Sequence, residues 1–199
     1  PLFFSSPVAW MLLASFAVAT LFIFFWVESF FARNIADIRP LFEWMPILLI
    51  FLCSALTMRM WSEERYSGTL EHMLTLPVSL WHFVMGKFWA CFILLLMALI
   101  STLPLALTVA LIGSLDWGPV IGGYVATVLL GTTYLAIGLC VSALTDNAIV
   151  SMIGTVVICA LLYLLGSTTF TGFFDDRTGE MLRLLSSGAR FESITRGII

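Results

Sequence analysis

The chain contains 199 residues with a formal net charge of −3, and 61% of the residues are hydrophobic while only 11% are charged. Soluble domains have an apolar share of about 45–50% and a charged share of about 25%, so this composition indicates an integral membrane protein. The small negative charge provides no basic surface for nucleic acid. We therefore expect membrane lipids, and no nucleic acid, around this chain.

Five apolar segments predict an all-α integral membrane protein, a polytopic helical bundle that forms a single transmembrane domain over residues 1–199. Pro46 is expected in the first turn of the second span, where a missing N–H costs least, and Pro104 is expected to kink the third. The predicted spans are residues 8–27, 46–60, 85–112, 119–144 and 149–166.

The fourth segment carries small residues at helical spacing. Gly118 and Gly122 form a GxxxG pair, and Gly123, Thr127 and Gly131 follow one another at intervals of four. Small residues at this spacing let helices approach closely in lipid, which predicts a helix-packing interface with another helix of this chain or of a second chain. The alternative is that glycine is simply common in membrane helices.

A polar loop, residues 61–80, separates the second and third spans. We expect the second helix to continue past Arg59 and Glu63, which are four apart, until Ser67 and Gly68 end it. Since Arg59, Arg65 and Lys87 lie near helix ends, the positive-inside rule places this loop in the cytoplasm. The tail, residues 167–199, would then lie outside as short helices packed at the outer surface, although it also carries four arginines: Arg177, Arg183, Arg190 and Arg196.

The second half of the loop predicts a short amphipathic helix. Thr69 is expected to cap it through its hydroxyl, Pro77 to end it, and Ser79 to cap the next helix. Three apolar side chains then share one face, where they either enter a groove on a cytosolic partner or pack back on the bundle. These side chains are Leu70, Met73 and Leu74.

The sequence carries no pattern typical of an enzyme or a metal site. Gly86 and Lys87 are followed by Phe88 instead of Ser or Thr, so there is no P-loop, and no H-E-x-x-H or G-x-S-x-G motif occurs. The four cysteines stand singly in apolar runs, which predicts buried thiols without a metal. They are Cys53, Cys91, Cys140 and Cys159. We expect no cofactor on this chain, and ATP hydrolysis would have to come from a partner.

Several stretches resemble a known family. The segments EERYSGTLE (63–71), LTLPVS (74–79) and GKF (86–88) resemble the first cytoplasmic loop of type-two ABC transporter permeases. The resemblance is closest to the branch with the gliding-motility and nitrous-oxide-reductase-maturation permeases. Two further stretches fit, GLCVSALTDN (138–147) and FESITRG (191–197).

This resemblance implies six spans, of which five lie in this chain, and a helix before the first span and a sixth span are expected beyond it. It also implies a permease subunit of an ATP-driven exporter in the bacterial inner membrane. Two such chains, identical or related, would form the pathway, and each would dock a cytosolic ATPase, which binds ATP and magnesium, through the coupling helix in loop 62–77.

The docking residues implied by the resemblance are Glu63, Glu64, Arg65, Gly68, Thr69, Leu70, Glu71 and Leu74, with a second, smaller contact over residues Ser142 to Asn147, which include Asp146 and Asn147. The alternative is a membrane scaffold or assembly subunit that transports nothing.

Overall fold

The computed structural model describes residues 7–27, 38–69, 79–113, 117–165, 186–188 and 191, and within these residues all regular structure is helical. This confirms the predicted all-α bundle. The helices are α1 (Pro7–Phe22, continued by a π-helical segment, Ile23–Val27), α2 (Arg39–Thr57), α3 (Ser62–Tyr66), α4 (Leu80–Ile100), α5 (Leu103–Ile112), α6 (Trp117–Leu144) and α7 (Ala148–Leu164).

Among the described residues, four stretches are long and apolar enough to cross a membrane: Pro7–Val27, Pro40–Tyr66, Leu80–Ile112 and Trp117–Leu144. The fifth apolar helix, α7, is shorter, with 17 residues. The multi-pass character predicted from hydropathy is therefore present in the fold.

The second helix begins earlier than the sequence predicted. It starts at Arg39, so that Pro40 occupies its first turn and Pro46 lies in its interior. The expectation that Pro46 opens this helix is wrong. A proline inside a helix removes one N–H···O bond, at a cost of about 3 kcal/mol, and this cost is offset because the preceding turn buries Leu41, Phe42 and Met45 in the core.

The third predicted span is broken where Pro104 was expected to kink it. The helix α4 ends at Ile100, and α5 begins at Leu103 with Pro104 in its first turn. At the break, the Thr102 hydroxyl lies 2.7 Å from the Leu99 carbonyl oxygen and 3.0 Å from the Tyr124 hydroxyl. The kink therefore has a fixed polar contact to α6.

The helix α6 is the centre of the bundle, with its largest contact on α2 and further contacts on α4 and α7. A Cβ added at Gly123 would lie 2.6 Å from the Phe42 ring, and one at Gly131 would lie 2.7 Å from Leu95 Cδ2. Small residues of α6 thus meet helices of the same chain. Gly118, by contrast, lies exposed in the first turn of α6.

Three of the four cysteines are buried, but Cys140 lies on an exposed face of α6, so the prediction that all four thiols are buried is wrong for Cys140. In the tail, the Ser187 hydroxyl lies 3.2 Å from the hydroxyl of Tyr134, and Phe191 is buried. Ser187 therefore contacts α6 within the bundle, and the placement of the tail on the outer side stays a prediction.

Candidate functional site

The polar loop begins with an interruption of the helix. The helix α2 ends at Thr57, residues 58–61 form turns, and α3 then begins at Ser62. The expected continuous helix past Arg59 and Glu63 is therefore absent. Instead of bonding to carbonyls one turn back, the N–H groups of Trp61 and Ser62 donate to the Ser142 hydroxyl, at 3.1 and 3.3 Å.

The helix α3 is attached to the end of α6 by Arg65. The Arg65 Nε lies 2.8 Å from Asp146 Oδ1, and one terminal nitrogen of the guanidinium donates to the carbonyl of Ala143. That carbonyl is in the last turn of α6, where backbone acceptors have no partner within the helix. Both ion-pair side chains are solvated, so the pair adds only about 0–1 kcal/mol. Its main effect is to fix α3 beside the turn that follows α6.

A second ion pair attaches α3 to α4. Glu64 and Lys87 form this pair with side chains that are only 23% and 14% exposed. The Lys87 ammonium also donates to the Met60 carbonyl and lies 3.7 Å from the centroid of the Trp61 ring. Lys87 therefore contacts three groups around the helix interruption: the Glu64 carboxylate, the Met60 carbonyl and the Trp61 ring. The Glu64 side chain is directed into the bundle instead of towards solvent.

The exit from α3 is set by Gly68, which has a φ of +69°. Left-handed backbone favours glycine, and this confirms the predicted end of the helix at Ser67 and Gly68. The Thr69 hydroxyl lies 2.9 Å from Ser67 Oγ and donates to the Glu64 carbonyl at 3.3 Å, so it bonds back to α3. The predicted short helix with Leu70, Glu71 and Leu74 lies outside the described residues.

Ser79 stands at the start of α4, as predicted, with extended backbone. Its hydroxyl, however, contacts the imidazole of His82 and makes no capping bond to a backbone N–H. The position of the boundary was predicted, but the capping bond expected there is not formed.

The turn between α6 and α7 is held by Asn147, whose Oδ1 accepts the N–H of Ile149 at 2.9 Å. This turn and α3 share one solvated surface at the same end of the bundle, since Arg65 contacts Asp146. We call this surface the polar face. Its members, all exposed, are Glu63, Arg65, Gly68, Thr69, Asp146 and Asn147.

A cleft of about 340 Å³ lies between α1 and the interruption of α2. It is apolar on the α1 side, at Val8 and Leu12, and carries both signs of charge on the other, at Arg59 and Glu63. Over the ranges described above, no group of three His, Cys, Asp or Glu side chains is placed to hold a metal ion. This end of the bundle therefore forms a charged surface that is suited to contact with a partner.

Two further residues shape this end of the bundle: Ser142, predicted only as part of the second contact and not as a hydrogen-bond partner of Trp61 and Ser62, and Gly138, which was not predicted. A Cβ at Gly138 would lie 2.2 Å from Thr57 Oγ1, so α2 and α6 are closest just before the interruption. A signal in the sequence could have identified both residues. Gly138 and Ser142 continue the series of small residues Thr127 and Gly131 along α6, and such a series predicts close helix packing.

Comparison with known proteins gives one family. A family model described as "ABC-2 family transporter protein" matches residues 31–180, which is more than half of the chain. No curated protein and no solved structure matches the chain. The matched residues extend from α2 to α7 and include both parts of the polar face.

Proposed function

Because the chain belongs to the ABC-2 transporter family, we propose that this permease subunit couples ATP hydrolysis by a separate cytosolic subunit to export across the bacterial inner membrane. The family and the apolar helices make it a multi-pass membrane component of an ABC transporter. We propose further that two permease chains form the pathway, and that the chain belongs to the branch that includes the gliding-motility and nitrous-oxide-reductase-maturation permeases. ATP and magnesium belong to the ATPase subunit.

The polar face is the proposed docking surface for the ATPase. The observation that carries this proposal is the contact between Arg65 and Asp146, because it brings two stretches 81 residues apart to one solvated end of the bundle. Charged, exposed groups on both stretches suit recognition of a soluble partner. Leu70, Glu71 and Leu74 would extend this surface. Glu64 is proposed to take part in docking as well, and its pair with Lys87 supports the surface from behind.

Contacts of α3 would transmit a movement of the polar face to the membrane helices. The helix α3 is continuous in sequence with α2, is paired to α4 through Glu64 and Lys87, and is bonded to the end of α6 through Ser142. Displacement of α3 by the ATPase would therefore move three long helices together. Such rigid-body movement is a common way to switch between two conformations.

The exposed apolar faces of the bundle suit lipid or a second permease chain. On α7, Ile149, Ile153 and Val157 lie one turn apart and are exposed. These side chains face away from the packed interior, so the described helices leave room for both kinds of neighbour.

The experiment is co-purification. The permease is expressed together with its genomic neighbours, and it is captured by a tag after solubilisation in mild detergent. We expect an ATPase with Walker motifs in equal number, and we expect Glu63→Lys to weaken its retention at least about tenfold, because reversal of an interface charge costs more than about 1.4 kcal/mol.

The matched control is Glu43→Lys. Glu43 is also an exposed glutamate, and it lies in the same stretch, Pro40–Tyr66, as Glu63. It lies near the start of α2, however, which is at the other end of the bundle. Retention that Glu43→Lys weakens as much as Glu63→Lys would contradict docking at the polar face. Absence of any ATPase from the folded wild-type permease would favour a scaffold that transports nothing.

A further inference from the structure

The ends of α3 and α6 complete each other's hydrogen bonds. The Ser142 hydroxyl, in the last turn of α6, accepts the N–H groups of Trp61 and Ser62 at the start of α3. In return, Arg65, in the last turn of α3, donates to the carbonyl of Ala143 at the end of α6. Each helix thus supplies a partner for terminal backbone groups that the other helix leaves unbonded.

Ser142 is the buried member of this exchange. Its side chain is fully inaccessible, and its hydroxyl also donates to the Met58 carbonyl at 3.3 Å. One hydroxyl therefore contacts three backbone groups across the interruption of α2, at Met58, Trp61 and Ser62. The Ser62 hydroxyl also donates to the Met58 carbonyl, but Trp61, at the N-cap position of α3, makes no side-chain capping bond, so Ser142 is the side chain that accepts the N–H groups of Trp61 and Ser62.

The approach of the two helices brings Ser142 to this position. Gly138 lies one turn before Ser142 and faces Thr57, the last residue of α2. Since a side chain at Gly138 would collide with Thr57, the missing Cβ lets α6 pass close enough for the Ser142 hydroxyl to reach the backbone of Trp61.

We propose that Ser142 is a positioning residue that makes α3 and the turn at residues 145–147 move as one body. The consequence for transport rests on the proposed function: a displacement of α3 by the ATPase is passed to α6 and α7 at once, and the two parts of the polar face keep their spacing. The helix α3 has only five residues and cannot hold its own geometry, because helices this short are unstable alone.

The first test uses the full permease in lipid nanodiscs without ATPase and measures amide hydrogen exchange. Ser142→Ala should speed exchange at Trp61 and Ser62 about tenfold, since both N–H groups lose a buried partner. Ser151→Ala is the matched control: Ser151 is equally buried, and its hydroxyl bonds to no group in the described part of the chain. Ser151→Ala should leave the amide exchange rates of Trp61 and Ser62 at their wild-type values. Unchanged exchange in Ser142→Ala would overturn the proposal.

Arg65→Gln tests the other half of the exchange at a solvated position where folding is not at risk. It should speed exchange at Arg65 and Ser67, whose N–H groups donate within α3 to the carbonyls of Trp61 and Glu63. No change at these amides would mean that the attachment to Ala143 does not hold α3.

The second test asks whether motion is transmitted. In the complex with the ATPase, trapping with ATP and vanadate should change exchange at residues 145–151 in the wild type and in Ser151→Ala. In Ser142→Ala this change should fall at least about twofold while the ATPase stays bound. An undiminished change would overturn the proposal. Failure of the wild type to bind the ATPase would instead count against the proposed function, and the first test would still decide the role of Ser142.

Discussion

A side chain at Gly138 should force α2 and α6 apart. In Gly138→Ala the new Cβ would lie 2.2 Å from Thr57 Oγ1 and 3.0 Å from Thr57 Cβ. Rotation of the Thr57 side chain about its Cα–Cβ bond moves Oγ1 away but leaves the contact with Thr57 Cβ in place. This rotation also breaks the bond that Thr57 Oγ1 makes to the Cys53 carbonyl at 2.8 Å. Overpacking of this kind costs about 1–3 kcal/mol.

The helix propensity of alanine offsets part of this cost. Alanine is favoured over glycine inside a helix by about 1 kcal/mol, so the net destabilisation of Gly138→Ala is about 0–2 kcal/mol. Gly86→Ala is the matched control, because Gly86 also lies inside a helix but has open space around its missing Cβ. That variant should be neutral or slightly stabilised, since it gains propensity without a collision.

The native cysteines provide the assay. Cys53, Cys91 and Cys159 are buried and Cys140 is exposed, so a thiol-reactive dye has one early site and reports unfolding through the other three. For a chain of this size the overpacking cost of about 1–3 kcal/mol places the unfolding midpoint of Gly138→Ala about 2–12 °C below that of Gly86→Ala, because both variants gain the same helix propensity. A midpoint for Gly138→Ala equal to or above that of Gly86→Ala would refute the close approach of α2 and α6.

Two further substitutions test the supports of the polar face. Lys87→Met should lower the same midpoint by an amount equivalent to about 1–3 kcal/mol, because it leaves the largely buried Glu64 carboxylate without its cation; adding Glu64→Gln should restore part of the loss, and no restoration would contradict the pair. Asn147→Ala should speed amide exchange at Ile149 about fivefold, since it removes the cap of α7, which is worth about 1 kcal/mol; unchanged exchange would show that the cap does not hold the turn.

Hydropathy and backbone chemistry were sufficient to predict most of the fold. The apolar runs identified the membrane helices, Pro104 located the break between α4 and α5, and Gly68 located the end of α3. These features depend on the residue itself or on its near neighbours along the chain. Pro46 shows the limit of such reasoning, because burial of Leu41 and Phe42 in the core extends α2 in front of it.

The arrangement of the candidate site could be predicted only in part. The residues of the polar face follow from the charged loop and its resemblance to permeases, but their spacing depends on contacts between stretches about 80 residues apart. The pairing of Trp61 with Ser142 and of Arg65 with Asp146 has no signature in either stretch alone. The ion pair of Glu64 was not predicted for the same reason, since its partner Lys87 lies on another helix.

Photocross-linking from Tyr66 tests docking at the polar face most directly. Tyr66 ends α3 and is 84% exposed, so a photoreactive phenylalanine analogue can replace it with little effect on packing. In membranes that contain the ATPase, we predict a cross-linked product whose peptides belong to that subunit. The same probe at Leu111, which is 87% exposed near the far end of α5, should give no such product. Equal cross-linking from both positions, or none from Tyr66 while the ATPase is retained, would contradict the account.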